Sequence, residues 1–577
     1  MDSANRTFIT MIILTAVFFV FTTMQLFFKK EQVIINEPAG YAKTNDIEKG
    51  NGLISIVDSN EYFEVVNSDL DSEKTIIYEN NKIKIQFNRK SGTIENAWIK
   101  NGSNKEYNIV DGASDNSALH IKLGSWLTGR TIDDLTNGKE IYNFSIIDNV
   151  YIFKILLKDN KNNIDYVIEK KYKFIENENI FNLTLNISNN KNIPFKFDQS
   201  NKAFSIGWGP SVGVKSLPNS KRSDRYDIYG YLSSDKLINI NEKNKIFKEN
   251  KSLYAELPKM IKDTWLVANS HYNAAVILPV DNSEYSYFFD YRQIKNDISY
   301  CGFSKKTNNS VIESNFTIYI GPKLSSVLKK YDNFSQNGIY LENASFTKLD
   351  PKIIFGLGNI IGFILNYINK FVNNYGLSII ILTIIIKLLL SPLTHHSMVS
   401  QQKMQTVQPK MKELQAKYKD KPDLLNKKTM ELYQKEGINP MSGCLPLILQ
   451  MPILFAMYQL LDRMVELKGA SFLWIKDLAM PDSIFSFGFT IPLINSSTFN
   501  ILPIIMVLTQ IATSMLTPDV QNNKQAKMMM WMMPIMFFFF FYNVASALVL
   551  YWTVMNILGI AQQAFIKYKG KHAIVKK

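Results

Sequence analysis

Six apolar runs, five of them without a charge and each near the length a helix needs to cross a lipid bilayer, constrain this chain more than any other feature. A bilayer core takes about 20 apolar residues per helix. The first run, Thr7–Phe28, has 22 residues without a charge. It ends in MQLFFKK, with no small-x-small cleavage pattern, and so reads as a retained anchor rather than a removed signal. The others lie near Gly376–Leu393, Cys444–Leu461, Pro492–Leu516, Met528–Tyr542 and Ala547–Ile566. Met528–Tyr542 is short, reaching about 22 Å at 1.5 Å per residue, against a core of about 30 Å. Local thinning of the bilayer, or extension into Asn543–Ser546, would make up the difference. Residues 352–374 are also long enough to span. Their polar residues Asn359, Asn366, Lys370 and Asn373 share one helical face, however, which suits a helix lying in the interface plane.

Residues 29–350 are polar and rich in Asn and Lys. Phe181, Leu183, Leu185 and Ile187 alternate with Asn182, Thr184, Asn186 and Ser188. Ile83, Ile85 and Phe87 alternate likewise, as do Tyr172 and Phe174, and turn-formers such as NNK, RKSG and DNKNN separate the segments. Strict alternation predicts half-buried strands, and many of them predict a β-sandwich, ordered from about residue 75. The expected fold class is a polytopic α-helical membrane protein with six spans and a large extracytoplasmic all-β domain. Its divisions are an anchor at 1–28, the β domain at 29–350 and an interfacial helix at 351–375. A five-span core follows at 376–566, including a cytoplasmic helical hairpin at 394–441, and then a basic tail at 567–577.

Charge orients the spans. The chain has 577 residues, with 65 Lys and Arg against 51 Asp and Glu, a net charge of +14. Residues 394–441 carry nine Lys and five acids, residues 517–527 carry Lys524, Lys527 and Asp519, and the last 13 residues carry five Lys and no acid. The excess of basic residues in short inter-span segments marks the cytoplasmic side, while long domains cross regardless of charge. Both termini are therefore expected inside and the β domain outside; Lys29 and Lys30 run against the rule and are outweighed. Cys301 then lies outside and Cys444 near the inner edge, so the two cannot pair. The absence of a CxxC excludes zinc ribbons and thioredoxin-type sites. There is no G-x-x-x-x-G-K-[ST] loop for nucleotide. His395 and His396 lack nearby acidic or Cys ligands. No metal, no cofactor and no enzymatic chemistry are expected.

Lys387, inside IIILTIIIKLLLSPL, is the strongest chemical signal. A lysine at the centre of a spanning helix costs about 2.5–3.5 kcal/mol on insertion scales and usually faces a protein interior or wet cavity. The alternative is snorkelling to the cytoplasmic surface about seven residues away. Thr383 lies one turn from it, and Gln450, Gln510 and Asn556 lie on three other helices; each alone is more often helix–helix glue than a site. Met404, Val407, Met411, Leu414 and Tyr418 are spaced three, four, three, four, a coiled-coil seam. Pro422 suits the start of a second helix and Gly437 its end. This makes a basic hairpin, either a docking platform or a solvated linker. The run KMMMWMMPIMFFFFFY offers flexible Met packing or a plain lipid-facing surface. The tail lysines Lys567, Lys569, Lys571, Lys576 and Lys577 suit anionic lipid or the RNA of a ribosome equally. A secondary transporter would show repeated span pairs, and none is visible. A carbohydrate-processing outer domain would need acids such as Asp290 and Glu313 to converge, which the sequence does not reveal.

The segment GINPMSGCLPLILQMPILFAMYQLL at 437–461 resembles the YidC-type membrane protein insertases, through Asn439, Pro440, Gly443, Cys444, Pro446, Gln450, Pro452 and Tyr458. SIIILTIIIKLLLSPLT, FLWIKDLAMPD at 472–482 and LVLYW at 548–552 are similar to the family as well, and DTWLV at 263–267 and YIGPK at 319–323 more weakly. The resemblance implies the form with a large periplasmic domain, a β-supersandwich similar to sugar-mutarotase-like domains. It also implies five core helices around a hydrophilic groove open to lipid and cytoplasm. By position Lys387, Thr383, Gln450, Gln510, Trp552 and Asn556 would line or border that groove. The family usually has Arg where this chain has Lys387, and Lys keeps the charge but not the planar fork. Ala545 and Ala547 stand where Pro and Gly are frequent. The implied partners are nascent membrane proteins, the Sec translocon, the ribosome and anionic lipids, in a bacterial inner membrane.

Overall fold

The computed structural model describes residues 62–575, apart from 67–74, 214–227, 258–263, 293–298, 350–356, 438–444, 517–523 and some shorter stretches. The predicted anchor Thr7–Phe28 lies outside the described residues. The chain divides near residue 351 into a β unit and a helical unit.

The β unit is built from antiparallel sheets of ten, six and four strands. In the largest, Val150–Asp159, Ile164–Phe174, Ile180–Asn189 and Val311–Pro322 run side by side in long, regular register. The alternation that marks Ile180–Asn189 in sequence is met by burial: Phe181, Leu183, Leu185 and Ile187 are fully buried and the residues between them half-buried. Ile83, Ile85 and Phe87 do the same in Ile83–Asn88. One hydrophobic core runs through all three sheets. Order begins ahead of residue 75: Phe63 is buried in this core and Glu64–Val65 pairs with Lys158 and Leu157. Two residues are too short a run for alternation to register.

The strand Lys202–Trp208 is buried at every position. It and its neighbour Tyr300–Lys306 meet at the pair Gly207–Gly302. A side-chain carbon on Gly207 would meet the Trp126 ring at 2.6 Å. Gly207 thus leaves room for Trp126 and Gly302 for Phe288, and these two rings stack with centres 4.6 Å apart. Trp126 Nε1 donates to Asp290 at 3.1 Å, and Arg292 holds the same carboxylate at 2.7 Å. Asp290 is therefore committed to packing, while Glu313 lies exposed on another strand; the two acids do not form a pair. Cys301 is buried with a free thiol.

The helical unit contains α1 (Leu357–Val372), α2 (Tyr375–Lys417), α3 (Pro422–Lys435), α4 (Leu445–Arg463), α5 (Leu502–Leu516), α6 (Lys524–Phe541) and α7 (Ser546–Val575). Helix α7 packs against α2, α4 and α5, and α1 packs against α2 and α4. Helix α1 has three faces. Ile361 and Leu365 are buried, Asn359, Asn366 and Lys370 are exposed, and beside these Ile360, Phe363, Tyr367 and Phe371 form an exposed apolar stripe. Among the described residues, two helices have the length and apolarity to cross a bilayer, at Tyr375–Pro392 and Ser546–Ile566. Leu502–Met515 and Met532–Phe541 are shorter apolar helices.

The apolar, span-length part of α2 is Tyr375–Pro392, close to the run read from sequence, and the helix continues unbroken from it to Lys417, with Pro392 and Pro409 inside. Two boundaries differ from the sequence reading. The run expected as a span from Pro492 begins as a helix only at Leu502, because Ser496–Asn500 is a strand paired with Ser483–Ile491. Helix α6 is not extended into Asn543–Ser546. Those residues make the turn to α7, with Asn543 Nδ2 on the Ile494 carbonyl at 2.7 Å and the Ser546 N–H on the Met480 carbonyl at 2.9 Å.

Glu140 and Lys170, whose opposite charges attract each other, are among the ionisable groups of the β unit that carry a cost of burial, as is Lys202. Burial pushes the Glu140 carboxyl up to about 7 and the Lys170 ammonium down to about 8, against ordinary values of 4.5 and 10.5. Between 4.5 and 7 the folded chain keeps a proton on Glu140 that the unfolded chain releases, so stability falls as pH rises. Between 8 and 10.5 the folded chain has lost a Lys170 proton that the unfolded chain keeps, so stability recovers. The melting temperature of the β unit, followed by near-UV circular dichroism of the full chain in neutral detergent, is expected to pass through a minimum between pH 7 and 8. Glu140→Gln should flatten the acid side of that profile.

Candidate functional site

The polar side chains of the helical unit gather where α7 meets α2 and α5. Trp552 Nε1 donates to Gln510 Oε1 at 3.3 Å, and Asn556 Nδ2 reaches Thr509 Oγ1 at 3.3 Å. One turn beyond Asn556 stands Gly559. A side-chain carbon placed there would lie 3.7 Å from Lys387 Nζ. Further along, Gln562 Nε2 donates to Thr394 Oγ1 at 3.2 Å and to Ser391 Oγ at 3.4 Å, both on α2. Helical spacing explains the arrangement. Residues 387, 391 and 394 share one face of α2, and 552, 556, 559 and 563 share one face of α7.

Lys387 is half-buried and forms no hydrogen bond or ion pair among the described residues. No acid occurs in residues 376–412 or 520–577 to compensate it. The Oε1 atoms of Gln562 and Gln563 are buried and without a hydrogen-bond partner among the described residues. The seam is thus one fixed cation with neutral donors and acceptors along it, some of them unused. On its apolar side Trp552 packs edge-on to Phe537 and stacks on Phe541, with ring centres 5.5 and 6.0 Å away.

The residues predicted from sequence separate into two groups. Lys387, Gln510, Trp552 and Asn556 belong to this seam. Thr383 is fully buried and its hydroxyl is spent on the Ile379 carbonyl of its own helix at 2.6 Å, so it packs rather than presents a polar group. Gln450 is half-buried on α4, and its side chain makes no hydrogen bond among the described residues. Sequence reading missed Ser391, Thr394, Thr509, Gln562 and Gln563. The steps of four and three from Lys387, and of seven from Asn556 to Gln563, were the available signal.

In the hairpin, Val407 is buried and Met411, Leu414 and Tyr418 are half-buried where α2 faces α3; the Met404 side chain lies outside the described residues. Thr429 Oγ1 donates to Met411 Sδ at 3.6 Å, and Lys410 pairs with Glu436 at 2.7 Å. Gly437 follows with a φ of +62°, the left-handed region that glycine tolerates. The side chains of Lys567, Lys569 and Lys571, on the last turns of α7, and Lys576 and Lys577 lie outside the described residues. Among the described residues no three His, Cys, Asp or Glu side chains are grouped to hold a metal.

At the opposite end of the seam a polar clasp joins the helix ends. The buried Asp482 carboxylate accepts from the Leu502 N–H at 2.7 Å and from Trp474 Nε1 at 3.1 Å. Asn500 Nδ2 donates to the Tyr542 carbonyl at 2.7 Å, and Tyr542 Oη donates to the Thr498 carbonyl at 3.0 Å.

The family described as 60Kd inner membrane protein matches residues 367–573, which contain the whole seam. The chain is 31% identical over 529 residues to the membrane protein insertase YidC of Treponema denticola, covering 88% of each chain. The chain belongs to the YidC family of membrane protein insertases. To the YidC of Chlorobaculum tepidum it is 29% identical, over 86% of this chain and 82% of that one. A crystal structure of an active YidC insertase with its first transmembrane domain resolved aligns with a TM-score of 0.36 at 16% identity, covering 87% of this chain and 94% of that one. As a YidC-family protein it is an inner-membrane protein whose large β-rich domain precedes a C-terminal helical region.

The clasp sets a stability test. Asp482→Ala leaves the Leu502 N–H and the Trp474 indole without their acceptor, and an unpaired buried donor costs about 1–3 kcal/mol. Its thermal unfolding in detergent is expected at lower temperature than wild type, with Asp482→Asn between the two because the amide keeps one acceptor oxygen.

Proposed function

We propose that this chain inserts newly made membrane proteins into the inner membrane by giving their polar flanks a hydrated path beside Lys387. The observation that carries the reading is the uncompensated Lys387 ammonium beside the bare Gly559, with hydrogen-bonding side chains on both sides. A spanning segment entering lipid gains about 0.3–0.6 kcal/mol per strongly apolar residue at its centre. Its end state is therefore downhill, and the barrier lies in moving the polar flank across. A wet groove shortens the dry path for that flank. Lys387 attracts its acidic residues, and the neutral amides of Gln510, Asn556, Gln562 and Gln563 hydrogen-bond to it without competing charge. The membrane potential adds about 2.3 kcal/mol per charge per 100 mV, drawing acidic tails outward. Nothing in this sequence of events requires covalent chemistry or nucleotide hydrolysis.

In the topology we propose, six spans place both termini in the cytoplasm and the β unit in the periplasm, supported by the excess of basic residues at 394–441, 517–527 and 565–577. Helix α1 lies in the interface plane, which its adjacent polar and aromatic exposed stripes favour. The α2–α3 hairpin projects into the cytoplasm as a platform for emerging substrate. The lysines of the tail meet anionic lipid or ribosomal RNA, and the protein works alone or beside the Sec translocon.

Reconstitution in vesicles with a short single-span, acidic-tailed substrate made by in vitro translation tests this, with protease protection of the translocated tail as readout. Lys387→Ala is expected to lose protection of acidic tails, and Lys387→Arg to retain it; equal insertion by the Lys387→Ala variant removes the electrostatic role. Gly559 supplies an independent arm. Gly559→Ala adds a carbon at ordinary contact distance from Lys387 Nζ and should be tolerated, whereas Gly559→Leu should cover the ammonium and reproduce the loss expected of Lys387→Ala.

A further inference from the structure

Between α4 and α5 the chain forms a two-stranded hairpin whose sides differ in chemistry. Its strands are Ser483–Ile491 and Ser496–Asn500. Phe485 is registered opposite Phe499, and the rings of Phe485, Phe487, Phe489 and Phe499 form one cluster with neighbouring centres 5.1–5.8 Å apart. On the alternate positions Ser486 is registered opposite Thr498. One face is therefore aromatic and the other carries hydroxyls. The aromatic face does not pack on a core: every residue of the first strand is at least partly exposed, Phe485 by 50% and Phe489 by 64%, whereas on the second strand Ser496 and Asn500 are buried where the hairpin joins the helices. An antiparallel hairpin in water normally turns its apolar face to a core, and a lone hairpin is marginal without such a face covered.

The base of this hairpin is not loose. The Asp482 and Asn500–Tyr542 clasp bonds both of its ends to α5 and to the α6–α7 turn. Its second strand ends at Asn500 and α5 begins two residues later, at Leu502. From Ser483 to Pro518, through the hairpin and the whole of α5, no residue is charged. The aromatic face is thus continuous in chemistry and in chain with an apolar helix, and held rigidly at its end. Amphipathic segments that lie in the membrane–water boundary turn Phe, Trp and Leu side chains toward the lipid chains.

We infer that this hairpin lies in the outer-leaflet interface of the membrane, with Phe485, Phe487, Phe489 and Phe499 among the lipid chains and the Ser486–Thr498 face toward the headgroups. The inference rests on the membrane reading of α5 given above. It makes the hairpin a second lipid contact of the helical unit, at the end of the seam remote from the basic tail. There it would fix the outer end of α5, and with it Thr509 and Gln510, in depth.

Site-directed spin labelling of the full chain in phosphatidylglycerol–phosphatidylethanolamine vesicles tests this. Cys301→Ser and Cys444→Ser supply the background, and Phe489→Cys, Ser486→Cys and Leu508→Cys are labelled singly. Relaxation by lipid-soluble oxygen is compared with relaxation by an aqueous nickel chelate. The expected result is oxygen dominance at 489, its reversal at 486, and oxygen dominance at 508, which is exposed on α5. Chelate dominance at both 489 and 486, with 508 still in lipid, overturns the inference while leaving the membrane reading intact. Chelate dominance at 508 as well removes the membrane reading itself. Spin–spin broadening at 489 that vanishes on dilution with unlabelled protein assigns the face to a second copy and also overturns the inference. Retained protease protection by the labelled variants shows that they are folded.

Discussion

A single ammonium group on an apolar helix dictates the helical unit. Transfer of a charge into lipid is costly unless polar groups or water attend it, so wherever Lys387 points, the neighbouring helices have to leave space and supply hydrogen-bonding atoms. Both conditions are met from one side, by α7. Gly559 removes the side chain that would have covered the ammonium, and Asn556 and Gln562 stand within a turn on either side of it. The same face ties α7 to α5 through Trp552 and Gln510. Interhelical hydrogen bonds in membranes are worth only about 0.6 kcal/mol on average, so these contacts position more than they stabilise. The tight packing comes from the apolar faces, where Leu548, Trp552 and Met555 are buried against residues of the other helices.

The clasp around Asp482 answers a different problem. Helix ends leave unpaired N–H and C=O groups, and at a membrane boundary neither lipid nor bulk water satisfies all of them. Here the Leu502 N–H at the head of α5 finds a carboxylate, while the Tyr542 carbonyl beyond α6 finds the Asn500 amide. The motif FLWIKDLAMPD, one of the segments that resemble the family, is thereby explained in part as capping chemistry: Trp474 bonds to Asp482, and Asp482 caps α5.

The legibility of this chain in its sequence follows the strength of each periodic signal. The long strands of the β unit were readable because one face is buried and the other wet, so Phe181 to Ile187 alternate without interruption. The short strand Glu64–Val65 was not, because two residues carry no period. Apolar runs located α2, α4 and α7, yet misplaced the start of α5: hydropathy is as high in Phe499 and Ile501 as in a helix, and only the hydroxyl-rich SSTFN stretch distinguishes a strand there. Thr383 illustrates a related limit. A threonine next to a critical lysine looks like a site residue, but the sequence does not say that its hydroxyl bonds back to its own helix. Lys387, Gln510 and Asn556 are conspicuous in the sequence by rarity, since polar groups in apolar runs stand out singly, whereas Trp552 is indicated only by the family resemblance. Ser391, Thr394 and Gln562 were missed because they lie at the ends of those runs, where polar residues are ordinary and only the fold brings them together.

Under the function proposed above, a lysine rather than an arginine at position 387 limits what the seam can do. Arginine presents five donors in a rigid plane and holds its proton under all conditions, whereas lysine offers a compact charge on a flexible stem and releases its proton more readily in apolar surroundings. A bidentate grip on a carboxylate is then not available, and attraction must act as a field rather than a fitted contact. The surroundings suit that role. With no acid on α2 before Glu413 or on α5, α6 or α7, no fixed carboxylate competes for the ammonium. With Gly559 opposite, no side chain from that position covers the ammonium. Under the function proposed above, an unpaired cation attracts a passing acidic flank without binding it at one point, and a weak, extended attraction suits the release of each substrate better than a tight one.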